Sequence, residues 1–261
     1  MLDYVRNNNL DTGGNIQDAE SYTPTAADNM TMLLIVDPRS AAQEPYTFIL
    51  MRFLPADRKI FIMPLPERTL TNVSNQRDTL DSFYLNMGVV KTEQAVENAT
   101  GIKIDRYLHC NSDTFAKITE VFGGVNFLVP KEFESTIGRG EYLFTSSDIN
   151  DLMFFAYYGG GEKERVIKAG TILTGLINQS SKSKVSENFE DKYITLKDLI
   201  DTDIDSAYFY GQVLAVKYLL EHSSAPAEFV NPNGTYAMED QFIFNPEFTK
   251  TLADKFKLNE K

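Results

Sequence analysis

Residues 31–36 (TMLLIV), 46–53 (YTFILMRF) and 59–63 (KIFIM) are short apolar runs rich in branched and aromatic side chains, which predicts three strands. DPRSAAQEP joins the first to the second, and LPADRK reads as a hairpin loop between the second and the third. The pattern changes at RYLHCNSDTFAKITEVFGGVNFLVP, residues 106–130. Tyr107, Leu108 and His109 make a short half-apolar strand, and Asn111, Ser112 and Asp113 follow with side-chain oxygens suited to capping a helix. Phe115, Ile118 and Phe122 recur at spacings of three and four, on one helical face. Gly123 and Gly124 supply a left-handed stop before a strand over 125–129. A strand, helix and strand of this length predict a parallel crossover.

Elsewhere, residues 92–100 (TEQAVENAT) predict a short helix stopped by Gly101, and 148–155 another after Ser146 and Ser147. Residues 205–222 have the length and apolar density of a helix, and NPEFTKTLADKF begins one with Asn245 as cap and Pro246 in the first turn. Residues 180–192 (SSKSKVSENFEDK) form a polar excursion, and 1–29 are a polar stretch that suits a poorly ordered tether. The remainder, 30–261, reads as one domain with strands and helices interleaved along the chain.

A chain of 261 residues with 43% hydrophobic content can bury a substantial core. Its net charge of −12 argues against a general nucleic-acid or anionic-membrane binder, so an anionic ligand needs a local basic cluster. Cys110 is the single cysteine, which excludes an intrachain disulfide and a cysteine-based metal site, and the presence of only two histidines, His109 and His222, argues against a zinc site. Cys110 reads as a small buried hydrophobe. No G-x-S-x-G elbow accompanies the histidines, and GGGE at 159–162 lacks the G-K-[ST] of a phosphate loop, which leaves it a flexible connection before a helix. No run reaches the roughly 18–20 apolar residues of a membrane span.

Several of these segments resemble the LytR-CpsA-Psr family of bacterial cell-envelope proteins. The 106–130 run looks like the family's strand, helix with a GGV-like turn, and strand ending near proline. LLIVDPR at 33–39 looks like its first strand and Asp-x-Arg turn, and YTFILMRF and KIFIMPLPER like its next two strands. DSFYLNMG at 81–88 falls where the family has a small-residue loop, and GEKERVIKAGTILTGLI where it has a late arginine-bearing helix. The resemblance runs from about residue 30 to the end. It implies an α/β fold, a central mixed β-sheet flanked by α-helices, and an extracytoplasmic protein whose membrane contact is an upstream single-pass anchor outside this chain. The family joins glycopolymers carried on polyprenyl pyrophosphate to peptidoglycan or protein.

The resemblance also assigns a site. Two aspartates help hold Mg2+ in the family. Asp37 matches the first, whereas the second position holds Tyr46, a poor ligand for a hard cation. The family's serine-isoleucine-proline-arginine-aspartate motif falls on Pro64, Leu65, Pro66, Glu67 and Arg68, so Glu67 stands at the arginine that contacts pyrophosphate. A carboxylate about 4 Å from a phosphate oxygen costs roughly 1 kcal/mol in water and about 4 kcal/mol at an effective dielectric near 20. Arg68 substitutes only if the strand bulges by one residue. The late-helix motif falls on Glu162, Arg165, Lys168 and Ala169, and Arg39, Arg165 and Lys168 are what remains of a basic pyrophosphate clamp. As ordinary surface charges, Glu162 and Arg165 would instead pair along a helix for about 0.2–0.5 kcal/mol. The substitutions at Tyr46, Glu67 and Ala169 favour a member that binds polyprenyl-linked glycopolymer with weak or lost transfer. The alternatives are an active divergent phosphotransferase and a surface interaction module without a lipid ligand.

Overall fold

The computed structural model describes residues 22–38, 45–120, 122–123, 125–128, 140–154, 159–179, 190–191, 193–237 and 240–256. The first strands in chain order are β1 (Met30–Asp37), β2 (Thr47–Leu54), β3 (Lys59–Leu65), β4 (Leu70–Val73), β5 (Gln76–Thr79) and β6 (Arg106–Asn111). They are followed by β7 (Val125–Leu128), β8 (Glu141–Phe144), β9 (Asp201–Thr202), β10 (Ala227–Phe229), β11 (Gly234–Tyr236) and β12 (Phe242–Phe244). The helices include α1 (Leu80–Met87), α2 (Val89–Thr100), α3 (Ser112–Glu120), α4 (Ser146–Met153), α5 (Gly161–Gln179), α6 (Ser206–Glu221) and α7 (Pro246–Lys255).

Six strands form one mixed sheet in the order β10-β3-β2-β1-β6-β9. β1, β2 and β3 pair antiparallel in turn, while β6 runs parallel to β1 and β10 parallel to β3. β1, β2 and β3 are buried on both faces, which is why their sequences are apolar without alternation. Residues of odd number in β1 and β6 face α1, α2 and α7, where Leu33, Ile35, Phe83, Val96 and Phe256 make one core. Residues of even number face α3, α4, α5 and α6, where Leu34, Val36, Phe115, Met153 and Leu176 make the other. The sheet thus lies between two helical layers. α5 sits close on β10: a Cβ added at Gly170 would fall 2.1 Å from the Phe229 ring, so only glycine permits this approach.

The structure corrects three expectations. β7 does not return parallel beside β6 but pairs antiparallel with β8 in a separate ribbon. Both edges of β6 are already taken, by β1 and by β9, so the crossover has no edge to join. Residues 81–88 are not a loop, because Leu80–Met87 is helical with Leu80 and Phe83 buried. α1 ends at Gly88, whose φ of +74° suits glycine, and α2 starts at once at Val89, three residues before the helix expected from residue 92. Of the expected tether, residues 1–21 lie outside the described residues, and Ala26–Asp28 form a 3-10 turn capped by Thr25. The polar excursion over 180–192 lies almost wholly outside them too.

Candidate functional site

Strand direction gathers the candidate residues. With β1 parallel to β6 and antiparallel to β2, and β2 antiparallel to β3, the end of β1, the start of β2, the end of β3 and the end of β6 share one edge of the sheet. Asp37, Tyr46, Glu67 and His109 therefore converge, with the first turns of α5 beside them.

On the α1 side, Asp37 is the centre of a small network. Tyr84 on α1 donates its hydroxyl to Asp37 Oδ1 at 2.7 Å, and His109 Nε2 lies 3.0 Å from Asp37 Oδ2 and 2.8 Å from the Tyr84 oxygen. A carboxylate only accepts, so Nε2 carries the hydrogen. Burial raises the Asp37 carboxyl, but the bonds from His109 and Tyr84 outweigh it and hold the group below its ordinary value. The bond to Asp37 raises the His109 imidazole, with Asp201 adding to it from 3.6 Å on the Nδ1 side. The rings of Tyr46 and Tyr84 meet edge to face at 5.4 Å, and those of Tyr84 and His109 at 5.7 Å.

On the α5 side, Arg165 is buried and fully engaged. Its Nε and Nη2 donate to Glu162 Oε2 and Oε1, each at 2.6 Å, in a two-point fork. Nη1 donates to Thr47 Oγ1 at 3.1 Å and to the Met153 carbonyl at 3.2 Å, and Nη2 also reaches the Tyr46 carbonyl at 3.3 Å. Every N–H of the guanidinium thus has an acceptor within the chain. Lys168, one turn on, is buried as well.

Glu67 ties the two sides together. Its amide donates to Glu162 Oε1 at 3.0 Å, and its Oε2 accepts from the Tyr46 amide at 2.9 Å. Burial, then Glu162 and Asp81, push the Glu67 carboxyl up to about 7 against the opposing pull of Arg165. The β2–β3 register is regular through Leu65, after which residues 66–69 turn with Thr69 donating to the Pro66 carbonyl. The strand holds no bulge that would carry Arg68 into the place of Glu67. Arg68 is half-buried in that turn, and Arg39 lies outside the described residues.

An apolar cavity of about 270 Å³ lies on the α5 face of the sheet. Met32, Leu34 and Leu108 form its floor, and Phe115, Leu173 and Phe209 are among the side chains over it. It takes Leu34 but not Val36, which is fully buried, so it stops roughly 10 Å short of the Asp37 end at the usual strand rise.

The family model described as LytR_cpsA_psr matches residues 7–241. The chain belongs to the LytR-CpsA-Psr family. Solved structures of the same fold include a protein from Eubacterium siraeum described as a transcription regulator, at 16% identity and TM-score 0.78 over 95% of this chain and 99% of that one. TagV of B. subtilis matches at 17% identity and TM-score 0.63, over 88% of this chain and 97% of its own. TagT bound to LI-WTA matches at 15% identity and TM-score 0.66, over 93% and 92%. No curated protein matches in sequence. Membership gives this LytR-CpsA-Psr chain a cell-envelope function related to glycopolymers. Among the described residues, no helix is long and apolar enough to cross a membrane.

Reading the sequence missed the partners of Asp37. Tyr84 lies in the segment where the resemblance implies a loop, and His109 belongs to no motif. Asp201 belongs to a two-residue strand too short to leave a pattern. The signal available was Tyr107 and His109 alternating on a half-apolar strand, and only the parallel register puts His109 beside Asp37.

Proposed function

We propose that this LytR-CpsA-Psr protein acts outside the cytoplasm and binds a polyprenyl-linked glycopolymer, with transfer to peptidoglycan weak or lost. The observation that carries the reading is the apolar cavity between β1, β6 and the helices α3, α5 and α6. It exceeds the ~150 Å³ apolar cavity that accommodates benzene, and each methylene placed in it contributes about 0.8 kcal/mol. An isoprenoid chain can therefore supply much of the binding without help from the head group.

Weak transfer follows from the sheet edge. Glu67 puts a carboxylate where the family has a phosphate-binding arginine, and Arg165 must release Glu162 before it can meet a pyrophosphate. Arg39, Arg68 and Lys168 remain candidate contacts of the head group. Polyprenyl pyrophosphate binding to the purified chain tests this, beside Leu108→Phe and Leu173→Phe variants that fill the cavity. Retention by wild type and at least tenfold loss in both variants is the expected result, together with no transfer of the glycopolymer to peptidoglycan. Binding unchanged by the filled cavity would overturn the reading of the cavity, and efficient transfer would overturn the reading of lost activity.

A further inference from the structure

The donor set around Asp37 does not fit the Mg2+ that the family resemblance implies. Mg2+ needs near-octahedral oxygen ligands and is held by one or two carboxylates with waters and phosphate oxygens. Asp37 already accepts a hydroxyl hydrogen on Oδ1 and an imidazole N–H on Oδ2, so each oxygen has given one of its lone-pair sites to a protein donor. The Tyr84 ring meets those of Tyr46 and His109 edge to face, which holds both donors of the network in place beside Asp37.

The other carboxylates at this edge are committed elsewhere. Asp201 lies across the imidazole ring, at the Nδ1 side, and accepts from the Tyr107 hydroxyl at 3.3 Å. Glu67 accepts the Tyr46 amide, and Glu162 grips Arg165. Asp81 accepts from the Thr79 hydroxyl and, at 2.9 Å, from the Ser82 amide. Among the described residues no group of three or more His, Cys, Asp or Glu is arranged to hold a metal ion.

We infer that the O–H of Tyr84 and the N–H of His109 take the place of a divalent cation on Asp37, so that this chain binds its ligand without Mg2+ or Mn2+. The two donors do for the carboxylate what an ion does in a metal site: they satisfy its oxygens and fix its orientation. The ion's other task, bridging to a phosphate, is not replaced, which leaves the head group less tightly held than in a metal-bridged site. The inference deepens the proposed lipid binding, but its first test does not depend on it.

Mn2+ binding to the purified chain is read directly from loss of the free-ion signal in electron paramagnetic resonance, for wild type and Asp37→Asn at equal protein concentration. Equal free Mn2+ with the two proteins, up to millimolar ion, is the expected result. One Mn2+ bound by wild type, displaced by Mg2+ and lost in Asp37→Asn, would overturn the inference. A triple variant, Tyr46→Asp, Tyr84→Phe and His109→Ala, removes both donors and adds the second carboxylate. Gain of saturable Mn2+ binding there supports the substitution directly. Polyprenyl pyrophosphate binding is then compared in EDTA and in Mg2+. Equal affinity supports the inference, and binding that needs Mg2+ overturns it while sustaining the proposed function. Absence of lipid binding in both conditions counts against the proposed function alone, and the Mn2+ measurement still decides the inference.

Discussion

The guanidinium of Arg165 and the carboxylate of Glu162 meet in a two-point fork with both contacts at 2.6 Å, and the side chains are only 3% and 12% exposed. A three-residue spacing on a helix surface would make this an incidental pair worth a few tenths of a kcal/mol. Burial changes its weight, because removing one partner leaves the other charge uncompensated in a dry setting.

Glu162→Ala should therefore destabilise the chain by about 3–5 kcal/mol in urea unfolding. Replacing both residues together, Glu162→Leu with Arg165→Met, should cost clearly less than Glu162→Ala, since no orphan charge remains. A double variant at least as unstable as Glu162→Ala would show that the bonds from Arg165 to Thr47 and to the Met153 carbonyl matter more than its charge balance.

Glu67 predicts a pH dependence. Its carboxyl is raised from 4.5 to about 7 in the folded chain, chiefly by burial. The folded state binds this proton more tightly than the unfolded one, so the contribution to stability is complete below pH 4.5 and is lost as pH rises through about 7. Glu67→Gln keeps an oxygen for the Tyr46 amide and removes the titration. Relative to wild type, the variant should gain up to roughly 3 kcal/mol between pH 5 and pH 8. The His109 imidazole is raised as well, which favours the fold at lower pH in both proteins, and the difference between the two proteins isolates Glu67. Thermal melts at closely spaced pH values read this out. Parallel stability curves would show that Glu67 does not titrate there.

The contact between α5 and β10 gives a steric prediction. Gly170→Ala places a methyl group against the Phe229 ring and should cost about 1–3 kcal/mol. Phe229→Leu in the same chain should recover part of that cost. Failure of the second change to help would mean that α5 shifts as a body instead of pressing on one ring.

Filling the cavity should separate stability from ligand capture. Leu173→Phe adds apolar surface beside existing space, so its melting temperature should match or exceed that of wild type by a few degrees. A large fall in melting temperature would mean that the lining is already packed against the added ring.

The main architecture was legible in the sequence for physical reasons. β1, β2 and β3 are continuous apolar runs because both faces of their sheet are buried, and the hairpin between β2 and β3 carries turn residues. α7 begins at the expected cap, Asn245 accepting from the Glu247 amide, whereas α6 is legible from its length and apolar density, its cap Asp205 accepting from the Tyr208 amide being visible only in the structure. Cys110 is buried, as a lone cysteine after a strand suggested. α1 was missed because it spans eight residues whose buried face amounts to Leu80 and Phe83, too little for a periodic signal. β7 was assigned to the wrong sheet because local pattern specifies that a strand forms and not which edge is vacant.

The sequence by itself determined the α/β class and the family, and it carries Tyr46, Glu67 and Ala169 at the positions where the resemblance implies an aspartate, an arginine and a glutamine. Identity at a position is a local property, and it survives any folding. Only the tertiary structure decided that Arg165 is bound to Glu162, that Asp37 is held by Tyr84 and His109, and that the apolar side chains of β1, β6 and α5 leave a cavity between them. Those facts depend on which strands are neighbours, in what register, and how closely helices approach the sheet. A buried ion pair and a surface one have the same letters at the same spacing, and packing alone separates them.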